Sequence, residues 1–233
     1  MNVYYIGHSG FMVELEKNVL VFDYYTGAIP KFDKNKNVYV FVSHKHFDHF
    51  NKVIFNLFES CKVHYVLAKC CKMNEKYLER LGLPIDLNEK ITYMRKDESI
   101  QVEDLFIETT ASTDAGVAYM VNVEGKNIYH AGDNGMWLWP ESEDAIKIKM
   151  EKLYKDIIDG MGDRHFDVAF VPADPKLLEN AQKGLKYFLE KIKVDSVYAM
   201  HMWDQWDRFG EIINSYELSK FRDCIVDYRT EEK

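Results

Sequence analysis

Three histidines and an aspartate fall within six consecutive positions of the segment Ser43-His44-Lys45-His46-Phe47-Asp48-His49. Imidazole nitrogens and carboxylate oxygens bind zinc and similar divalent ions. Side chains two positions apart in an extended segment point the same way, so His44 and His46 can bind one ion together. Asp48 and His49 follow where the chain must turn, and we expect them to face a second ion. The spacing predicts a metal site; a solvated polar loop is the alternative interpretation.

The sequence around this segment indicates where it lies in the fold. The apolar run Val38 to Val42 precedes it and predicts a buried strand. A helix is expected near Asn51 to Glu59. Along the whole chain, strand patterns alternate with helical ones, which predicts an α/β protein. Sites in such proteins usually lie at the carboxyl ends of strands, where this segment would be.

The motif His44-x-His46-x-Asp48-His49 resembles the signature of the metallo-β-lactamase superfamily of binuclear metallohydrolases. With the motifs described below, the resemblance extends from residue 7 to residue 201. It implies a four-layer αβ/βα sandwich, formed by a single domain over 1–233 with pseudo-symmetric halves of about 1–115 and 116–233. Di-iron flavoprotein reductases of the superfamily have Glu where this chain has His46, which favours a zinc-type hydrolase.

The resemblance also implies ligands nearer the C-terminus. In His130-Ala131-Gly132-Asp133, Asp133 follows a strand and matches the carboxylate that bridges the two ions. His201 ends the last clear strand and matches the final ligand of the second ion. Asp48 and Asp133 would be the catalytic carboxylates. The implied metal ligands are His44, His46, Asp48, His49, Asp133 and His201.

The segment Thr109 to Gly116 departs from the superfamily pattern, because it lacks the third histidine expected for the first ion. Ser112, Thr113 and Asp114 are its oxygen-bearing candidates. Asp114 would replace an imidazole with a harder ligand. Otherwise the first ion has fewer protein ligands, or the site holds a single ion.

Four further residues are candidates for the surroundings of the site. The element Gly7-His8-Ser9-Gly10-Phe11 is similar to the ascorbate-6-phosphate lactonase-like branch, which makes His8 a site-lining candidate beside the simpler hairpin turn. Asp23 matches a superfamily aspartate that supports the ligands from below, although it could cap a turn. His130 could line the site or pack in the core. Asp174 could approach the site or form an Asp-Pro turn.

Composition narrows the class of protein. The chain has 233 residues, of which 47% are hydrophobic and 29% charged, as is usual for a soluble globular protein. A net charge of −8 argues against nucleic acid as a partner. No signal peptide pattern and no apolar run of ~18 residues are visible, so we expect a cytoplasmic protein without a membrane segment. Its four cysteines are expected to be reduced thiols.

The function implied by the resemblance is metal-dependent hydrolysis of a small ester, lactone or phosphodiester by a metal-bound hydroxide. The cofactor would be a divalent metal, one or two ions, with zinc favoured over manganese or iron. The expected partner is a small-molecule substrate, and the sequence leaves an oligomer open. The alternative is a non-hydrolytic metal-binding or sensing protein on the same fold.

Overall fold

The computed structural model describes residues 1–230. The chain divides into two compact units, Met1–Arg95 and Lys96–Lys233. The division therefore lies at residues 95 and 96, rather than near residue 115. The reason is strand pairing: the strands between residues 99 and 111 pair with the strand at Val117–Val123 and so belong to the second sheet.

The first unit contains one six-stranded sheet whose strands lie side by side in sequence order. The strands are β1 (Asn2–Gly7), β2 (Gly10–Glu14), β3 (Asn18–Phe22), β4 (Asn37–Val42), β5 (Lys62–Ala68) and β6 (Ile91–Met94). β1 to β3 are antiparallel, whereas β3 to β6 are parallel. The apolar side chains of β3 and β4 are all buried, as is typical of central parallel strands. The helices are α1 (Ile54–Leu57), α2 (Glu75–Arg80) and the 3₁₀ segments Lys69–Cys71 and Ile85–Lys90.

The second unit contains a six-stranded sheet of similar design. The strands are β7 (Ser99–Val102), β8 (Leu105–Ala111), β9 (Val117–Val123), β10 (Lys126–His130), β11 (His165–Pro172) and β12 (Lys193–Met200). β7 to β10 are antiparallel, and β10 to β12 are parallel. The helices are α3 (Asp144–Gly160), α4 (Lys183–Lys191), α5 (Trp206–Ile213) and the 3₁₀ segments Pro175–Asn180, Tyr216–Phe221 and Tyr228–Thr230.

Strand direction decides which residues meet at each sheet edge. In the first unit, β1 has the direction of β3, because two antiparallel pairings separate them. The carboxyl ends of β1, β3 and β4 therefore share one edge, which carries His8, Asp23 and the segment His44 to His49. In the second unit, the ends of β8, β10, β11 and β12 share an edge in the same way.

Two expected helices differ from the structure. The helix expected near Asn51 to Glu59 is only α1, because the Asn51 side chain accepts a hydrogen bond from the Val53 backbone N–H and so forms a competing turn. The periodicity of the sequence from Leu177 to Ile192 predicts one helix, but this segment forms a 3₁₀ segment followed by α4. The break occurs at Leu178, whose φ of 53° lies outside the helical region.

None of the helices formed by residues 1–230 has both the length and the apolar character needed to cross a membrane.

Candidate metal centre

Five predicted site residues of the first unit converge at the edge formed by β1, β3 and β4. His44 Nε2 lies 3.0 Å from His46 Nδ1. Asp48 Oδ2 lies 3.3 Å from His8 Nε2 and 3.9 Å from His49 Nε2. His46 is exposed, and the other four are buried: His8, His44, Asp48 and His49. Histidine and aspartate side chains are seldom fully buried unless they have polar partners. The structure therefore brings His8 close to the side chains that the motif predicts as metal ligands.

Asp23 supports these histidines from the end of β3. Its carboxylate accepts hydrogen bonds from the backbone N–H of Ser43 at 2.7 Å and from the Ser43 hydroxyl at 2.5 Å. It also accepts from His49 Nδ1 at 2.7 Å. Asp23 and Ser43 are almost completely buried. Asp23 therefore holds Ser43 and His49 in place by hydrogen bonds, and its role beneath a metal site stays a prediction.

This network determines which nitrogen of each ring carries the proton. A carboxylate can only accept hydrogen bonds, so His49 Nδ1 must donate to Asp23. The Ser43 hydroxyl donates its single proton to Asp23, and therefore accepts from His44 Nδ1, 3.0 Å away. In both rings, Nε2 then has the lone pair with which neutral imidazole binds a metal.

Asp48 is held in its charged form. Burial raises the pKa of Asp48, but interactions with its neighbours, of which the hydrogen bond from His8 is the largest, outweigh burial and lower the pKa to about 2. The side chain is therefore a carboxylate at neutral pH.

A second set of residues lies at the ends of β10, β11 and β12 in the second unit. His201 Nε2 lies 3.5 Å from Asp133 Oδ1. His201 Nδ1 donates to Asp174 Oδ2 at 2.9 Å, which fixes the ring with the Nε2 lone pair towards Asp133. Burial raises the pKa of Asp174, but the hydrogen bond from His201 outweighs it and keeps the pKa below its usual value. Asp174 thus contacts His201, and it also forms the Asp-Pro turn, because it accepts a hydrogen bond from the backbone N–H of Lys176.

The loop that carries Asp133 is held by two neighbouring side chains. The Thr113 hydroxyl contacts both backbone groups of Gly135, with its oxygen 2.9 Å from the N–H and 2.7 Å from the carbonyl. Trp137 Nε1 donates to the carbonyl of Asp133 at 3.0 Å. Trp137 is buried, and its ring lies edge-on to His201 with 5.2 Å between ring centroids. Thr113 and Trp137 therefore position both predicted residues of the second unit.

Strained backbone conformations occur at the same positions. His8, Asp23, His201 and Trp203 have φ values of 54°, 42°, 71° and 49°. Positive φ is uncommon for residues other than Gly because it costs conformational free energy. Such strained conformations occur most often at functional sites. For Trp203, the conformation lets Nε1 donate to Asp174 Oδ2 at 3.0 Å.

Asp114, the candidate replacement for the missing histidine, is exposed and offers a carboxylate oxygen within 4.8 Å of one of Asp133. The Ser112 hydroxyl accepts from the backbone N–H of Asp114 at 3.2 Å, which forms a local turn. His130 is buried in β10, where its Nδ1 accepts from the Gly132 N–H and its ring packs 5.6 Å from the ring of Phe170. Sequence reasoning missed the role of Ser43, although its position just after a strand and before His44 was a usable signal.

Comparison with known proteins identifies the family. A family model described as a beta-lactamase superfamily domain matches residues 2–149, which is more than half of the chain. The chain therefore belongs to the beta-lactamase superfamily. A metal-dependent hydrolase of Nanoarchaeum equitans is 30% identical over 138 residues, covering 57% of this chain and 60% of the relative. Another, of Opitutus terrae, is 27% identical over 150 residues, covering 59% and 64%. Both matches thus span less than two thirds of the relative.

A solved structure has a similar fold. The structure of a metallo hydrolase from Ignicoccus hospitalis matches 96% of this chain and 93% of its own, with a TM-score of 0.57 and 17% identity. At that identity, the similarity concerns the fold alone. The metallo-β-lactamase fold predicted from the sequence, with its two mixed sheets, is confirmed.

Proposed function

We propose that this protein is a metal-dependent hydrolase that acts on a small ester, lactone or phosphodiester. The observation that carries the proposal is the buried network in which Asp23 and Ser43 fix His44 and His49 with the Nε2 lone pair available. Such support is what an imidazole ligand needs in order to bind a metal in one orientation. The two relatives that are named metal-dependent hydrolases support the same proposed function.

The spacing of the donor atoms fits divalent metal ions. Ligands about 2.0–2.1 Å from a tetrahedral zinc ion lie roughly 3.3 Å from one another. The atom pairs His44–His46, Asp48–His49 and His201–Asp133 lie 3.0, 3.9 and 3.5 Å apart. We propose zinc as the cofactor, one or two ions, with manganese or iron as alternatives, because imidazole and carboxylate donors accept all three. The proposed ligands are His44, His46, Asp48, His49, Asp133 and His201.

A divalent ion bound by such residues lowers the pKa of a water molecule and polarises the oxygen of a scissile group. The chain's own residues prepare this chemistry. Asp48 supplies a carboxylate that is ionised throughout the neutral range. His201 Nδ1 donates to Asp174, and His49 Nδ1 donates to Asp23. Each hydrogen bond keeps the proton of its imidazole ring on Nδ1 during the reaction.

An aromatic pair beside the metal loop would contact the substrate. Phe47 lies between His46 and Asp48, and 68% of its surface is exposed. Its ring lies edge-on to Tyr25, with 5.7 Å between ring centroids. We propose that this pair packs against an apolar part of a small substrate. A lactone is among the proposed substrates because the Gly7-His8-Ser9-Gly10 element resembles that of the lactonase-like branch.

We also propose that the protein acts in the cytoplasm. All four cysteines are free thiols, as proteins kept in a reducing compartment usually have.

The alternative is a protein that binds metal without hydrolysis. The segment Thr109 to Gly116, which lacks the third histidine, is the observation that favours it. Thr113 in this segment holds the loop of Asp133 instead. The two functions differ in one measurable property, which is turnover by the metal-loaded protein.

The test combines metal content with turnover. The protein is purified without chelators or an affinity tag, and its metal is counted by elemental mass spectrometry. Chromogenic esters, lactones and phosphodiesters are then assayed before chelation, after chelation and after zinc or manganese is added back. A hydrolase should lose turnover with the metal and regain it on reconstitution. Stoichiometric metal without turnover would favour the binding protein, and no metal after reconstitution would refute both.

A further inference from the structure

A cavity of about 340 Å³ opens in the first unit beside the metal loop. Three lysines and two cysteines are among its lining residues: Lys45, which separates His44 from His46, together with Lys52, Lys72, Cys70 and Cys71. We call it the lysine pocket. It shares the edge of the sheet with the metal loop, because Lys45 follows β4 and Cys70 follows β5, which is parallel to β4. No predicted metal ligand lines it.

The positive charge of this pocket is not neutralised by the protein's own carboxylates. Within residues 1–230, Lys45, Lys52 and Lys72 form no ion pair, and no acidic residue lines the pocket. Lys52 Nζ instead lies 3.8 Å from the centroid of the Phe50 ring and donates to the Phe50 carbonyl at 3.3 Å. The chain has 38 acidic residues and a net charge of −8, yet no acidic residue is among those that line this cavity.

Cys70 is one of two cysteines that line the pocket, together with the polar residues Asn74 and Tyr77. Its side chain is exposed. The hydrogen bond from Cys71 is the main reason why the pKa of Cys70 is lowered, to about 6. Even with this thiolate, three lysines against one negative charge leave the pocket cationic at pH 7.5.

We propose that the lysine pocket binds a phosphate-type oxyanion, either free or as part of a phosphate monoester. Lysine ammonium groups bind phosphate as point charges, and a dianion would relieve their mutual repulsion. The cavity has the volume typical of small-molecule sites, so it has room for an organic group as well as the phosphate. The proposal does not depend on the hydrolase function, because binding alone tests it.

Cys70 provides a built-in reporter for the test. At pH 7.5, the protein is alkylated with iodoacetate, which is an anion, and in parallel with neutral iodoacetamide. The rate at Cys70 is followed by peptide mapping, with half-buried Cys61, which does not line the pocket, as the internal reference. Inorganic phosphate or phenyl phosphate is added, with chloride keeping the ionic strength constant. Phosphate should slow the reaction of Cys70 with iodoacetate several-fold and saturably, leaving Cys61 unchanged.

Matched substitutions separate the pocket from general charge effects. Lys72→Gln should lower the iodoacetate-to-iodoacetamide rate ratio at Cys70 several-fold and weaken the protection by phosphate. Lys76→Gln makes the same change of charge on an exposed residue of α2 that does not line the pocket, and should leave both unchanged. Lys52→Gln is the second pocket variant.

Stronger protection by phenyl phosphate than by inorganic phosphate would identify a monoester as the ligand; equal protection would identify free phosphate. The proposal is overturned if phosphate protects Cys70 no better than chloride, or if Lys72→Gln and Lys52→Gln behave like Lys76→Gln. Hydrolytic turnover enters none of these readouts, so failure here leaves the proposed function standing.

Discussion

The substitution Asp23→Asn tests whether Asp23, at the centre of the buried network, sets the protonation of the His44 and His49 rings. The change keeps the shape of the side chain, and Asn tolerates the positive φ of 42° at this position about as well as Asp. It removes the charge and turns one acceptor oxygen into an NH₂ donor. We expect the fold to be retained and metal binding to be weakened.

The magnitude follows from the hydrogen bonds. If the amide oxygen accepts from the Ser43 N–H, the NH₂ group faces His49 Nδ1 and the Ser43 hydroxyl. His49 then protonates on Nε2, and the Ser43 hydroxyl turns to donate to His44 Nδ1, so both rings lose the Nε2 lone pair. In the opposite orientation of the introduced amide, its NH₂ group would face the buried Ser43 N–H. That N–H would then lack an acceptor, which would lower the free energy of unfolding by about 1–3 kcal/mol. Loss of such support typically reduces metal affinity ~10–100-fold, or about 1.4–2.7 kcal/mol.

The assay is zinc competition against a chromogenic chelator, together with ¹⁵N NMR of the histidine rings to identify the protonated nitrogen. Asp167→Asn is the matched control, because Asp167 accepts from Lys126 Nζ and the Asn127 N–H in the second unit, away from the predicted ligands. Ser43→Ala should affect the His44 ring and spare His49. Wild-type zinc affinity with both rings still protonated on Nδ1 in Asp23→Asn would refute the reasoning.

Three further predictions concern single residues. Asp133→Ala should lower the metal content and abolish turnover without unfolding the chain, measured by elemental mass spectrometry, substrate assay and circular dichroism; full metal and full activity would show that Asp133 is not a ligand. Thr113→Val should cost about 1–3 kcal/mol in urea unfolding, because both backbone groups of Gly135 lose their hydroxyl partner, whereas Thr113→Ser should cost much less. The alkylation rate of Cys70 by iodoacetamide should rise with pH through about 6 and level off near 7.5, since the lowered pKa makes the thiolate dominant there; a rise continuing beyond pH 8, as for an ordinary thiol, would contradict this.

Much of the fold was predictable, because hydrophobic periodicity and turn residues are local properties. The strand predicted at Val38 to Val42 lies within β4, and all five of its side chains are buried, as expected. The break at Leu178 was missed, because a helical period continues in the sequence through a residue whose backbone is not helical.

The sequence by itself determined which side chains could bind a metal and that they follow strands, because residue type and spacing are written locally. Only the tertiary structure decided how those side chains are held. Asp23 reaches Ser43 and His49 across 20 and 26 positions, and Asp174 reaches His201 across 27. No local pattern encodes such pairs, since they depend on which strand ends share a sheet edge. Once buried there, a polar group must find a hydrogen-bond partner, and that requirement fixed the orientation of each ring.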